Sequence, residues 1–157
     1  MPRHLYKKIK TKPDTIYNSL EIVKLINYVM QNGKKTVAEK IVYEVLDRIS
    51  KESKEPMRVL QEAIYNVAPN YEVKPRRLGG ASYLVPIEVR RGRKLFLALN
   101  WIIEAARSRP NKEFHTFTDK LYTELMEASK NQGQAVAKKA QIEKLAEANR
   151  AFSHLKW

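Results

Sequence analysis

Apolar residues fall into helical registers along most of the chain. Leu20, Ile22, Val23, Ile26, Val29 and Met30 recur at the spacing that lines one face of an α-helix. Asn18 with Glu21 predicts a capping box at its start, and Gly33 a stop. A second capping box, Thr36 with Glu39, leads into the stripe Ala38, Ile41, Val42, Val45, Leu46 and Ile49. The polar run KESKE interrupts it, Pro56 suits a first-turn position, and Val59, Leu60, Ala63, Ile64 and Val67 form a third stripe that ends by Pro69. Residues 95–106, with Phe96, Trp101, Ile102 and Ile103, are apolar on nearly every side, which predicts a fourth helix at the centre of the others. A fifth, carrying Phe117, Leu121, Leu125 and Ala128, starts near Thr116 or Thr118 and stops by Gly133. A sixth runs over residues 134–150 with Val136, Ile142, Leu145 and Ala146 inward and leaves the tail AFSHLKW.

One stretch breaks the helical period. Tyr83, Val85, Ile87 and Val89 alternate as a strand does, and Gly79-Gly80 accepts the positive φ values of a tight turn, so a β-hairpin of undecided turn type is predicted. Pro75 and Pro86 cannot donate ladder hydrogen bonds, so the hairpin stands alone and projects. The fold class is mainly α: a single domain of six helices with a hairpin between the third and fourth and a basic N-terminal extension. Its parts are the extension at 1–17, helices one to three at 18–70, the arm at 71–91, helices four to six at 92–150 and the tail at 151–157.

Charge changes the picture. The 157 residues carry 30 Lys and Arg against 17 Asp and Glu, a formal charge of +13 that predicts a polyanionic partner. Residues 1–13 hold five cations and no acid, and residues 74–94 hold seven against Glu88, so eleven of the 13 net charges sit in the tail and the arm. Elsewhere the signs nearly balance, as on ordinary solvated helix faces. Arg90, Arg91, Arg93 and Lys94 gather at the predicted start of helix four, where the helix dipole repels cations by about 0.3–1 kcal/mol each and phosphates reverse the sign. Arg107 and Arg109 lie at the other end, where the dipole suits them. Lys34 and Lys35 fit either an RNA contact or a soluble loop; Tyr83 fits either base stacking or packing on Lys74 or Arg76; the other tyrosines read mostly as core, as does Trp101.

The chemistry of an enzyme is missing. There is no cysteine, and His4, His115 and His154 lack metal-ligand spacing. Asp14, Asp47 and Asp119 are scattered, and no phosphate-binding glycine loop or serine elbow occurs, so no catalytic residue, metal or cofactor is expected. The N-terminal MPRHLYKKIK lacks the apolar core of a secretory signal, and the longest apolar run, residues 95–99, is too short to cross a bilayer, so an intracellular protein is expected.

Four blocks carry a family resemblance: NGKKTVAEKIVYEVL from Asn32, EVKPRRLGGASYLVPIEVR from Glu72, WIIEAAR from Trp101, and AEANRAFSHLKW at the C-terminus. In that order and over nearly the whole chain, they resemble the bacterial and organellar family of small-subunit ribosomal protein seven. The resemblance implies a non-catalytic, cytoplasmic or organellar RNA-binding protein that nucleates the head, or 3′ major domain, of the small subunit. It implies RNA contacts by Arg3, Lys7, Lys8, Lys10 and Lys12, by Lys34 and Lys35, and by Lys74, Arg76, Arg77, Arg90, Arg91, Arg93 and Lys94. Lys138 and Lys139 on the last helix are implied to lie near RNA as well. The hairpin tip, Leu78, Gly79, Gly80, Ala81, Ser82 and Tyr83, is implied to face the exit-site tRNA and the mRNA path, with small-subunit proteins nine and eleven as neighbours. Arg91-Gly92 replaces a proline-containing step of the family, which is expected to loosen the joint between hairpin and helix four, and residues 111–117 form a longer loop than is usual. The competing reading is a DNA- or RNA-binding regulator that uses helices one and two as a helix-turn-helix. Glu39, Glu44 and Asp47 make helix two a poor match to a major groove.

Overall fold

The computed structural model describes residues 11–52 and 55–155. Six helices form in the predicted order: α1 (Leu20–Val29), α2 (Lys35–Lys51), α3 (Pro56–Val67), α4 (Arg91–Ser108), α5 (Phe117–Ser129) and α6 (Gln134–Ala148), and a 3₁₀ helix, Arg150–Leu155, runs from the predicted end of the sixth helix into the aromatic, basic tail. Between α3 and α4 stand β1 (Tyr71–Leu78) and β2 (Ala81–Glu88), paired antiparallel as a two-stranded sheet.

Two helix starts differ from the sequence reading. Asn18 takes φ +49°, so the cap of α1 passes to Ser19, whose side chain accepts the Glu21 amide at 3.2 Å. Asn32 and Gly33 both have positive φ and turn the chain early, so α2 starts at Lys35, with Thr36 inside its first turn and Glu39 paired to Lys35 at 3.6 Å. At α5 the start falls at Phe117, within the predicted Thr116–Thr118 range, and Thr116 with Asp119 forms a capping box that the sequence reading did not single out. Pro56 occupies the first turn of α3.

The stripes meet in one core. Ile22, Leu46, Ile49, Leu60, Leu99, Ile102 and Leu121 are fully buried, each such side chain worth about 1.5–3 kcal/mol. Trp101 is buried with them. The centre is shared: α4 packs on α1, α3, α5 and α6, while α5 packs on α2, α3, α4 and α6. On α6 the predicted face shifts, because Ala135 and Ala146 are buried while Leu145 is exposed. None of the described tyrosines is fully buried, in contrast to the core reading. Tyr17, Tyr28, Tyr43 and Tyr122 pack partly buried against the core, with the hydroxyls of Tyr43 and Tyr122 on the carboxylates of Asp14 and Glu52, while Tyr65 and Tyr71 are exposed. Burial and the Glu52 carboxylate push the Tyr122 hydroxyl up to about 12.

Charge also enters the interior. Arg109, expected to do no more than complement the α4 dipole, folds back onto α5: its guanidinium donates to Glu124 at 2.6 Å and to Glu127, and its side chain is 10% exposed. Glu124 is 0% exposed, and its other oxygen accepts the Ala135 amide at 3.0 Å, closing the N-terminus of α6. Gly133 is required there, since φ is +93° and a Cβ would come within 3.0 Å of that carboxylate. The 111–117 loop packs back too, with Asn111 accepting from the Lys120 amine at 2.6 Å and the Phe114 ring beneath Arg109.

Asp14 anchors the start of the described chain. It accepts from the Tyr43 hydroxyl at 2.5 Å and from the amides of Ile16 and Tyr17 at 3.1 and 3.0 Å. Burial pushes its carboxyl up, but these donors outweigh it and hold the group below its ordinary 3.8. Tyr43 is correspondingly raised to about 12, chiefly by the same hydrogen bond.

Two stability changes are expected. Arg109→Ala leaves Glu124 buried and unpaired and lowers the unfolding free energy by about 3–5 kcal/mol, with Glu124→Gln in the same background recovering part of the loss; urea melts read both. Tyr43→Phe costs about 1 kcal/mol at neutral pH, because Asp14 lies just beneath the surface where solvent screens the bond. Since the folded carboxyl titrates below its unfolded value, that difference is full above the ordinary carboxylate range and is lost as pH falls below it through the lowered folded value, which paired melts from pH 7 downward measure.

Candidate nucleic-acid interface

The hairpin turn is now defined. Leu78 pairs with Ala81, leaving Gly79-Gly80 as a two-residue loop with φ of +56° and +92°, the values of a type I′ turn. Its exposed tip spans residues 78–82, while Tyr83 lies half-buried with its ring centroid 5.2 Å from that of Phe152 in the 3₁₀ helix. Arg76 is its cross-strand neighbour, in keeping with packing between the two, whereas Lys74 stands opposite Val85. Val85 and Pro86 are buried, and the base of the arm rests on α6 and the 3₁₀ helix, so only its outer half projects.

At the junction with α4, the carbonyl of Asn70 accepts the Val89 amide at 3.0 Å and its side-chain oxygen accepts the Lys94 amine at 2.8 Å. Gly92, the residue expected to loosen this joint, lies within the first turn of α4, beside the clasp. Glu72 accepts from Lys74 at 3.0 Å and from Arg93 at 3.3 Å. Burial pushes the Glu72 carboxyl up, yet the two cations hold it below its ordinary value. Arg93 also covers the Phe96 ring at 5.0 Å. Arg90 and Arg91 are exposed, and no side chain caps the helix. A shallow recess of about 570 Å³ opens there between Glu88, Val89, Arg90, Arg91 and Lys94.

The implied contacts therefore divide. Arg77 is exposed beside the hairpin turn, and Arg90 and Arg91 are exposed at the start of α4; Arg76 is half-buried on the arm; Lys74, Arg93 and Lys94 share their charge with Glu72 or Asn70. Lys34 is exposed in the α1–α2 turn, Lys35 is exposed at the start of α2 and paired with Glu39, and Lys12 is exposed before Asp14. Lys138 donates to Glu104 at 2.6 Å, and Lys139 to the Asn66 carbonyl at 2.9 Å, so both amines are occupied within the protein. Arg3, Lys7, Lys8 and Lys10 lie outside the described residues. Sequence reasoning missed Asn70 and Glu72, which sit just before the cation-rich segment and gave no sign of their partners in the chain order. No group of three His, Asp or Glu fit to hold a metal occurs among the described residues, and no helix among them is long and apolar enough to cross a membrane. On the outer face of α2, Glu44 and Asp47 are exposed, as anions unsuited to lie in a groove of DNA.

Comparison with known proteins agrees with this geometry. The family described as "Ribosomal protein S7p/S5e" matches residues 1–150. The "Small ribosomal subunit protein uS7" of Thermosipho africanus is 50% identical over 149 residues, 94% of either chain. Those of Pelagibacter ubique and Afipia carboxidovorans are 48% and 47% identical, covering 96% and 99% of this chain and 95% and 98% of their own. With a match running almost from end to end, the chain belongs to the ribosomal protein S7p/S5e family.

Proposed function

We propose that this protein binds small-subunit ribosomal RNA directly through the cationic end formed by the hairpin and the start of α4, and that this contact nucleates the head of the subunit. Family membership makes it a structural, non-enzymatic protein of the small ribosomal subunit. The single observation that carries the RNA reading is the uncapped N-terminus of α4 with exposed Arg90 and Arg91 beside an open recess. Cations there work against the helix dipole, and a phosphate in the recess relieves that repulsion while accepting hydrogen bonds from helix and guanidinium together.

The basic extension with Arg3, Lys7, Lys8, Lys10 and Lys12, the Lys34-Lys35 turn and the arm from Lys74 to Arg77 add phosphate contacts around this centre. Lys138 and Lys139 contribute secondarily, since RNA must compete with their protein partners. The type I′ tip faces the exit-site tRNA and the mRNA path, with proteins nine and eleven of the subunit as neighbours, and the protein works bound to the ribosome in a cytoplasm or organelle interior. No observation favours the helix-turn-helix regulator.

A transcript of the small-subunit head domain is expected to bind far more tightly than duplex DNA of equal length, with log affinity falling linearly with log salt. Replacing Arg90 and Arg91 by Ala lowers RNA affinity by roughly tenfold or more and flattens the salt slope by about two units. The melting transition stays within about 0.5 kcal/mol. Equal binding to both nucleic acids, or an unaltered slope in the variant, contradicts the reading; filter binding at several salt concentrations together with thermal melts reads both.

A further inference from the structure

A second concave surface lies at the opposite end of α4. The α1–α2 turn and the α4–α5 junction enclose an open cleft of about 400 Å³. Its apolar lining includes Met30, Val37, Ile41 and Phe117, and Val37 is 53% exposed. Gln31 and Asn32 add side-chain amides, and Lys34 and Arg107 add exposed cations. None of the residues lining it is acidic.

We propose that this cleft is a binding pocket for a single unstacked RNA base, an inference that rests on the RNA-binding reading above. Three different chemistries meet here, and a nucleotide needs all three. The flat face of a base is satisfied by apolar and aromatic side chains, and Phe117 supplies a ring. Its edge carries donors and acceptors that side-chain amides match, and Gln31 and Asn32 supply two. Its phosphate requires positive charge without a competing carboxylate, and Lys34 and Arg107 supply that. An aliphatic side chain from a neighbouring protein fits the floor but leaves the amides facing a group that cannot bond them, at a desolvation cost. An acidic peptide fits the cations but not the floor. Positive φ at Asn32 and Gly33, at +51° and +73°, turns the chain so that residues 30–34 form the wall of the cleft and α2 its continuation.

The test uses the full-length protein and the head-domain transcript. Val37→Trp fills the cleft from an exposed position, and Gln31→Ala leaves it open but removes one amide. Val37→Trp is expected to lower RNA affinity roughly tenfold with an unchanged salt slope, because no phosphate contact is lost. Gln31→Ala weakens binding several-fold. Chemical probing is expected to find one base protected at its Watson–Crick edge by the wild-type protein and reactive again with Val37→Trp, while melting curves report that both variants fold. If the wild type binds and both variants bind equally tightly with the same bases protected, the cleft holds no base and only this inference fails. If Val37→Trp impairs binding only when neighbouring subunit proteins are present, the occupant is a protein and the inference is overturned. A wild-type protein that ignores the transcript sinks the RNA reading itself.

Discussion

Like-charge repulsion at the base of the hairpin is the constraint that the rest of the fold accommodates. Arg90, Arg91, Arg93 and Lys94 crowd one helix terminus, with Lys74 joined to them through Glu72 and with Arg76 and Arg77 farther out toward the hairpin turn. Left alone, such a group of cations drives strands and helix apart. Two uncharged or acidic side chains oppose this. Glu72, its side chain 15% exposed, holds Lys74 and Arg93, and Asn70 ties Lys94 and the Val89 amide to the foot of β1. The cations nearest the body are thereby tethered, while Arg90 and Arg91 keep their charge toward solvent. Neutralising every cation would relax the fold and also remove its affinity for a polyanion; tethering only the inner ones keeps both.

Support for the arm follows from the same need. A two-stranded hairpin is marginal in water on its own, and this one lacks a third strand among the described residues. Its stability comes from burying Val85 and Pro86 and from the Tyr83 and Phe152 rings, so the C-terminal 3₁₀ helix is a brace rather than a tail. A braced arm loses less conformational freedom when it docks, and that saving strengthens whatever contact it makes.

Periodicity in the sequence located all six helices because burial of an apolar stripe is a local, repeating demand that needs no knowledge of the partner. It faltered on α6, whose buried positions are small alanines rather than large residues, so the stripe reading put Leu145 on the wrong side. The caps of α1 and α2 moved to Ser19 and Lys34, each near an asparagine in positive φ, Asn18 and Asn32, a conformation that spacing does not reveal. Long-range ion pairs were invisible: Arg48 meets Asp119 and Arg109 meets Glu124 only after the helices pack. For the candidate interface, the excess of cations was legible from composition, yet which of them are tethered depends on Glu72 and Asn70 across the junction.

Helix α4 gives these surfaces a fixed relation. Its 18 residues carry Arg91 at one end and Arg107 near the other, separated by about 24 Å at the ordinary helical rise. The helix is buried along most of its length, with Leu99 and Ile102 fully enclosed, so that distance does not flex with the surface. Phosphate contacts alone carry no sequence information, and any RNA strand supplies them. With the two proposed sites at its ends, a rigid rod demands more: the RNA must present backbone and an unpaired base at one separation. Folded RNA satisfies such a demand through its tertiary shape, whereas a uniform duplex keeps its bases stacked and paired. On the proposed reading, selectivity for a structured RNA follows from the length of one buried helix and needs no direct reading of a long sequence.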